Sequence, residues 1–266
     1  MGTFVQITPH AATITVNGVP KTVHQTHPNF AEIRDLLMSD EFETEDIEEL
    51  MDVRASIAHR SHGSIVIEAD QVLYRGQLMH GLLSQRLVEA LEAGGQYFDR
   101  LIAFADNYYA NPSYRAREQL WPFLEKGQNP IDENGRFLAW KLVRSDYRDI
   151  YTGNVSNHVG AVEEMDRTQV DDDPNRTCSA GLHICTWHYL PSFGSARSED
   201  DLVMIVAVDP KDVVAVPVDY NNAKMRVCRY VVVGEVSKED AAHAFENLSF
   251  VDSDEFADGD DGGDDF

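Results

Sequence analysis

Between residues 11 and 24 the chain alternates. In "AATITVNGVPKTVH", Thr13 and Thr15 take turns with Ile14 and Val16, the period of a strand with one buried face. Asn17-Gly18 interrupts the pattern as a two-residue hairpin turn does. The pattern predicts two antiparallel strands, Ala12–Val16 and Val19–His24. Beyond His27-Pro28-Asn29 the period lengthens, and Ile33, Leu36 and Leu37 fall on one face of a helix. "ETEDIEELMDVRASIAH" predicts a second helix, with Thr44 as its cap and acidic residues in the first turns, where the helix dipole favours them. "SIVIEADQVLYRG" reads as a second hairpin. Three helices are expected after it, over 77–93, 95–109 and 112–126, the last with Pro112 in its first turn.

After the turn-rich "EKGQNPIDENGRF" the texture changes. "FLAWKLV", "GLHICTW", "DLVMIVAVDP", "VVAVPVDY" and "RVCRYVVVGEV" are short, β-branched and bounded by Gly, Pro, Asn and Asp. "LVMIVAV" is apolar on both faces and predicts an interior strand. "SKEDAAHAFENL" predicts a short helix capped by Ser237. From Asp252 on, eight of fifteen residues are acidic, too many for the segment to bury a core of its own. The expected fold class is α+β: a mostly helical region over 1–126 with two small hairpins, a mixed, mostly antiparallel β domain over 130–250, and a disordered acidic tail over 251–266.

A net charge of −24 repels nucleic-acid phosphates, which argues against direct nucleic-acid binding, and it repels anionic membrane surfaces. No apolar run is long enough to span a bilayer, and the N-terminal residues do not read as a secretory signal, so the chain is expected in a cytoplasm. Its three cysteines do not form a disulfide framework.

Candidate chemistry concentrates in the second half. "TCSAGLHIC" puts Cys178, His183 and Cys185 close together. A zinc site needs four ligands, or three and a water, and the six positions between the cysteines are too many for a paired zinc motif. The segment reads instead as a buried strand, with Cys185 acting as a small hydrophobe and His183 bonded to a neighbour. No metal and no cofactor are expected. Cys228, between Arg226 and Arg229, has the neighbours that activate a thiol but no placed base. "RSDYRDIYTG" brings together Arg144, Asp146, Tyr147, Asp149 and Tyr151, with Asp146 and Asp149 as paired acids, as metal ligands or, the favoured reading, as an Asp-capped turn. Lys224, Arg226 and Arg229 form a basic cluster fit for a phosphate or carboxylate ligand, or for pairing with Asp171–Asp173 or Asp219 inside the fold. With Lys141, Arg144, Asp146, Tyr147, Asp149 and His183 these three basic residues make up the candidate ligand-binding set. No phosphate-binding loop, dinucleotide fingerprint or nucleophile elbow occurs, no catalytic residue is assigned, and the reading leans away from an enzyme.

Taken together, "FLAWK", "DYRDIYTG", "DDDPNRTCSAGLH" and "DVVAVPVDYNNAKMRVCRY" resemble the RIIB-like family of tailed bacteriophages, named for the rapid-lysis B protein, over residues 112–236. The resemblance implies a phage accessory protein of the infected bacterial cytoplasm. It links the chain to lysis timing and to countering host exclusion and defence, through host or phage protein partners. A RIIA-like companion at the inner membrane is one of these. It supplies no catalytic residues. Family members often carry an apolar or small residue at the position of Cys185, a further argument against a metal there. The ending, Asp264-Asp265-Phe266, resembles the acidic tips with which single-stranded-DNA-binding proteins dock on replication partners. That similarity implies a replication-associated factor recruited through those three residues.

Overall fold

The computed structural model describes residues 4–256, apart from 26, 28, 40–41, 53–54, 56, 59–60, 69–70, 93–96, 197, 199 and 246–247. The fold is α+β, and the chain divides into two compact units, 1–102 and 103–266. The division falls earlier than the 126/130 boundary drawn from the sequence.

In the first unit, β1 (Val5–Ile7), β2 (Ala11–Val16) and β3 (Val19–His24) form an antiparallel sheet. Asn17 and Gly18 turn the hairpin with φ of 51° and 81°, both in the left-handed region that such a turn needs. Ala12, Ile14 and Val16 pack with Ile33 and Leu37 of α1 (Phe30–Met38) and Ile47 of α2 (Thr44–Met51). Thr44 is the first residue of α2 rather than its cap; Glu43 holds that position without a side-chain bond. α2 ends at Met51, earlier than the pattern suggested. The second hairpin, β4 (Ile65–Glu68) and β5 (Gln71–Tyr74), gains a third strand, β6 (Gln77–Leu78). The next helix, α3, therefore begins at Gly81 and runs to Glu92. α4 (Phe98–Ala110) carries the chain out of this unit.

The second unit is built on a seven-stranded sheet of order β11-β12-β9-β7-β10-β13-β8, antiparallel at every pairing. Its strands are β7 (Phe137–Val143), β8 (Val162–Glu164), β9 (Leu182–Cys185), β10 (Leu202–Val208), β11 (Val213–Ala215), β12 (Lys224–Val227) and β13 (Arg229–Val236). β10 lies inside the sheet, as its unbroken apolar run predicted. "RVCRYVVVGEV" is two strands, not one. The break at Cys228 takes Arg226, Cys228 and Tyr230 off the shared face that a single strand would have given them. On one face Leu138, Trp140, Leu142, Val203 and Ile205 form the core with Tyr189, Leu190, Phe245 and Val251. α5 (Tyr114–Gly127) brings Phe123 against Phe137, ring centroids 6.2 Å apart. Ser113, not Pro112, begins that helix: its hydroxyl accepts from the Ala116 amide at 3.2 Å. Buried Asn111 fastens the α4–α5 corner to the sheet edge by donating to the carbonyls of Pro210 and Val213.

"SKEDAAHAFENL" forms a 3₁₀ turn over Asp240–Ala242, because Ala241 and Phe245 are spent on the sheet core. Glu239, not Ser237, holds the cap position and makes no side-chain bond there; the Ser237 hydroxyl, two residues earlier, accepts from the Asp240 amide. The expected disordered tail begins too early at 251. Val251 is buried, its amide donates to Ile131, and Ser253 is held twice by Glu133. Phe256 packs on Phe245, its main chain lying over Gly234. A Cβ at Gly234 would stand 2.3 Å from the Phe256 carbonyl oxygen. Gly234→Ala should therefore lift this strap at a cost of about 1–3 kcal/mol, the usual range for overpacking. Hydrogen exchange over 253–256 measures it, and unchanged protection there would refute the packing described.

Candidate functional site

The second unit contains a cavity of about 430 Å³, within the range of small-molecule sites. Its floor is buried and comes from the sheet: Trp140, Lys141 and Leu142 of β7, Leu182, Ile184 and Cys185 of β9, and Lys224 of β12. Its rim comes from two loops, 149–155 and 177–181, where Tyr151, Thr152, Thr177 and Cys178 are exposed. "TCSAGLHIC" is thus one wall of a cavity, and the expectation that it only fills the interior is corrected. It holds for Cys185, whose thiol donates to the Trp140 carbonyl at 3.5 Å. Cys178 is exposed and His183 only partly buried.

Local sequence explains the two loops. Asp149 accepts from the amides of Thr152, Asn154 and Val155 and from the Thr152 hydroxyl, folding 149–155 around its carboxylate. Burial pushes its pKa up, but those bonds prevail and hold it down at about 2. The stretch leading into the second loop, 171–176, is fixed by Arg226, fully buried, whose three guanidinium nitrogens donate to the carbonyls of Asp171, Asp173 and Arg176 at 2.8, 2.6 and 2.6 Å. Gly181 turns the chain into β9 with φ 147°; a side chain there would press on the Arg226 stem.

Of the residues singled out from sequence, Lys141, Asp149, His183 and Lys224 line the cavity. Arg226 is occupied by its loop. Lys224 pairs with Asp219 at 2.8 Å, and Arg229 pairs with Glu164 at 3.5 Å. Of the two uses open for the basic cluster, the internal one accounts for these contacts. Arg144 donates to the Ile150 carbonyl, Asp146 accepts from the Arg148 amide, and Tyr147 stacks on His158; all three shape the loop outside the cavity wall. Asp264, Asp265 and Phe266 lie outside the described residues. Tyr151 of "RSDYRDIYTG" also reaches the wall, whereas sequence reasoning missed Met165 and Tyr189, which the fold brings there from separate segments with no shared motif.

Lys141 is a buried charge with one described hydrogen bond. It is 8% exposed, donates to the His183 carbonyl at 2.9 Å and lies 5.2 Å from the centre of the Tyr230 ring. Asp149, Cys185 and Glu163 face it, yet among the described residues no carboxylate comes within ion-pair distance. Burial lowers its pKa to about 8, against the pull of those groups. Burial, with the nearby Lys141, Arg226 and Lys224 charges, also lowers His183 to about 4, so its imidazole is neutral at pH 7. The Cys185 thiol is pushed up to about 12 by burial. Burial and Asp212 raise Cys228, opposite to the activation its arginine neighbours suggested. Among the described residues no three His, Cys, Asp or Glu side chains gather as a ligand set.

The comparisons with known proteins complete the picture. The family described as Bacteriophage T4 protein rIIB matches residues 2–245. Protein rIIB of Enterobacteria phage T4 is 39% identical over 227 residues, which cover 85% of this chain and 71% of that protein. No solved structure matches. The chain is a bacteriophage accessory protein. More narrowly, it belongs to the rIIB family.

Proposed function

We propose that the protein acts in the cytoplasm of the infected host by binding host or phage proteins, and that this binding serves lysis timing and resistance to host exclusion. The observation that supports the reading is the segment between β7 and β8. Val159 on it is 42% exposed, and Val162, 50% exposed, stands on β8, which pairs with β13 and closes one end of the sheet order. Large apolar side chains beside an open strand edge form a surface on which a partner buries area and adds main-chain hydrogen bonds. A RIIA-like companion at the inner membrane is the partner we favour, and it would give the chain a peripheral place at that membrane.

Val159→Ser with Val162→Lys leaves the core and the cavity wall untouched and removes these two side chains. Affinity capture from infected cells should then lose the companion that the unsubstituted protein retains. Recovery of the same partners in the same amounts would count decisively against this surface.

A further inference from the structure

The cavity carries an inference that stands apart from the choice of protein partner. Lys141 has three N–H donors, and the described contacts use one, on the His183 carbonyl. Ammonium groups this buried are ordinarily paired with an anion. The other charges in the wall are already answered. Lys224 has Asp219, and both oxygens of Asp149 are filled by its own loop. Around the unmet donors of Lys141 the surface is mainly apolar, with Leu142, Ile150, Leu182 and Ile184 among the lining side chains.

We propose that this cavity binds a small amphipathic organic anion, whose acid group takes the free donors of Lys141 and whose apolar body lies against β7 and β9. A carboxylate and a phosphate monoester share this chemistry. A polyanion does not suit it, because apolar walls and the ionised Asp149 would meet its further charges. The rim of exposed side chains gives such a molecule a way in.

The test uses the full chain and four probes of equal length: octanoate, octyl phosphate, octan-1-ol and octylamine, each titrated calorimetrically. One or both acids should bind one to one, at least about tenfold more tightly than the alcohol, as an added charge-assisted hydrogen bond implies. The stronger of the two identifies the headgroup. The amine should bind no better than the alcohol. Lys141→Met should abolish the preference for acid over alcohol, while Lys141→Arg keeps part of it. Binding an acid should also take up protons above pH 8, since the acid group favours charged Lys141; this readout needs no variant. Equal binding of acid and alcohol, a preference unchanged in Lys141→Met, or no binding of either acid would overturn the proposal.

Discussion

Arg226→Ala should destabilise the second unit by about 3–5 kcal/mol, the range for removing one partner of a buried charged contact. The side chain is fully buried, and its fork reaches three carbonyls of one loop, those of Asp171, Asp173 and Arg176. Alanine leaves these carbonyls unpaired and opens a void beside Gly181, where an added Cβ would stand only 3.1 Å from the arginine stem. Lysine should restore little, because a single ammonium cannot address three acceptors held in a planar arrangement. Denaturant unfolding of the three proteins provides the comparison. A loss below about 1 kcal/mol for the alanine variant, the worth of one ordinary hydrogen bond, would mean that the loop is held by something else.

The second large effect depends on pH. Lys141 has a pKa near 8 in the fold, below the ordinary 10.5. Between those values the unfolded chain holds a proton that the folded chain has released, so stability rises with pH across that window. Below pH 8 the penalty is present in full, about 3 kcal/mol from the size of the shift. Lys141→Met removes the penalty but also the bond to the His183 carbonyl. At pH 7 it should be more stable than the unsubstituted protein by about 1–2 kcal/mol. That advantage should shrink between pH 8 and 10.5. Asp149, Cys185, Glu163 and His183 all feel the charge of the amine, so the comparison is read within that window, above the acid range where the histidine and the carboxylates take up protons. A gap independent of pH through 8–10.5 would show that the amine is solvated in the fold.

Where one local signal settled the matter, the sequence was enough. Asn17-Gly18 can turn only a few ways, and the apolar run of β10 has nowhere to go but the interior of a sheet. The failures lie where a distant partner decides. Val162-Glu163-Glu164 is too polar to read as a strand, yet β13 supplies the neighbour that makes it one. Phe256 stands in an acidic run, and only the missing side chain at Gly234 shows that it can be seated. The same division runs through the site. Charge and spacing pointed to Lys141, Asp149, His183 and Lys224, which share the cavity wall. They pointed equally to Arg226 and Arg229, whose partners were invisible until the loops closed on them.

Glu133 and Ser253 meet from positions 120 apart in the chain, and Ile131 bridges Phe250 beside them. A nascent polypeptide emerging from the ribosome cannot complete this unit when its first strand appears. β7 must wait for β9 and β10, and the sheet core must wait for Val251. Contacts so distant make for slow closure. During that delay the apolar strand β10 has β7 on one side but lacks β13 on the other, the interval in which such a chain is most exposed to aggregation or to chaperone capture.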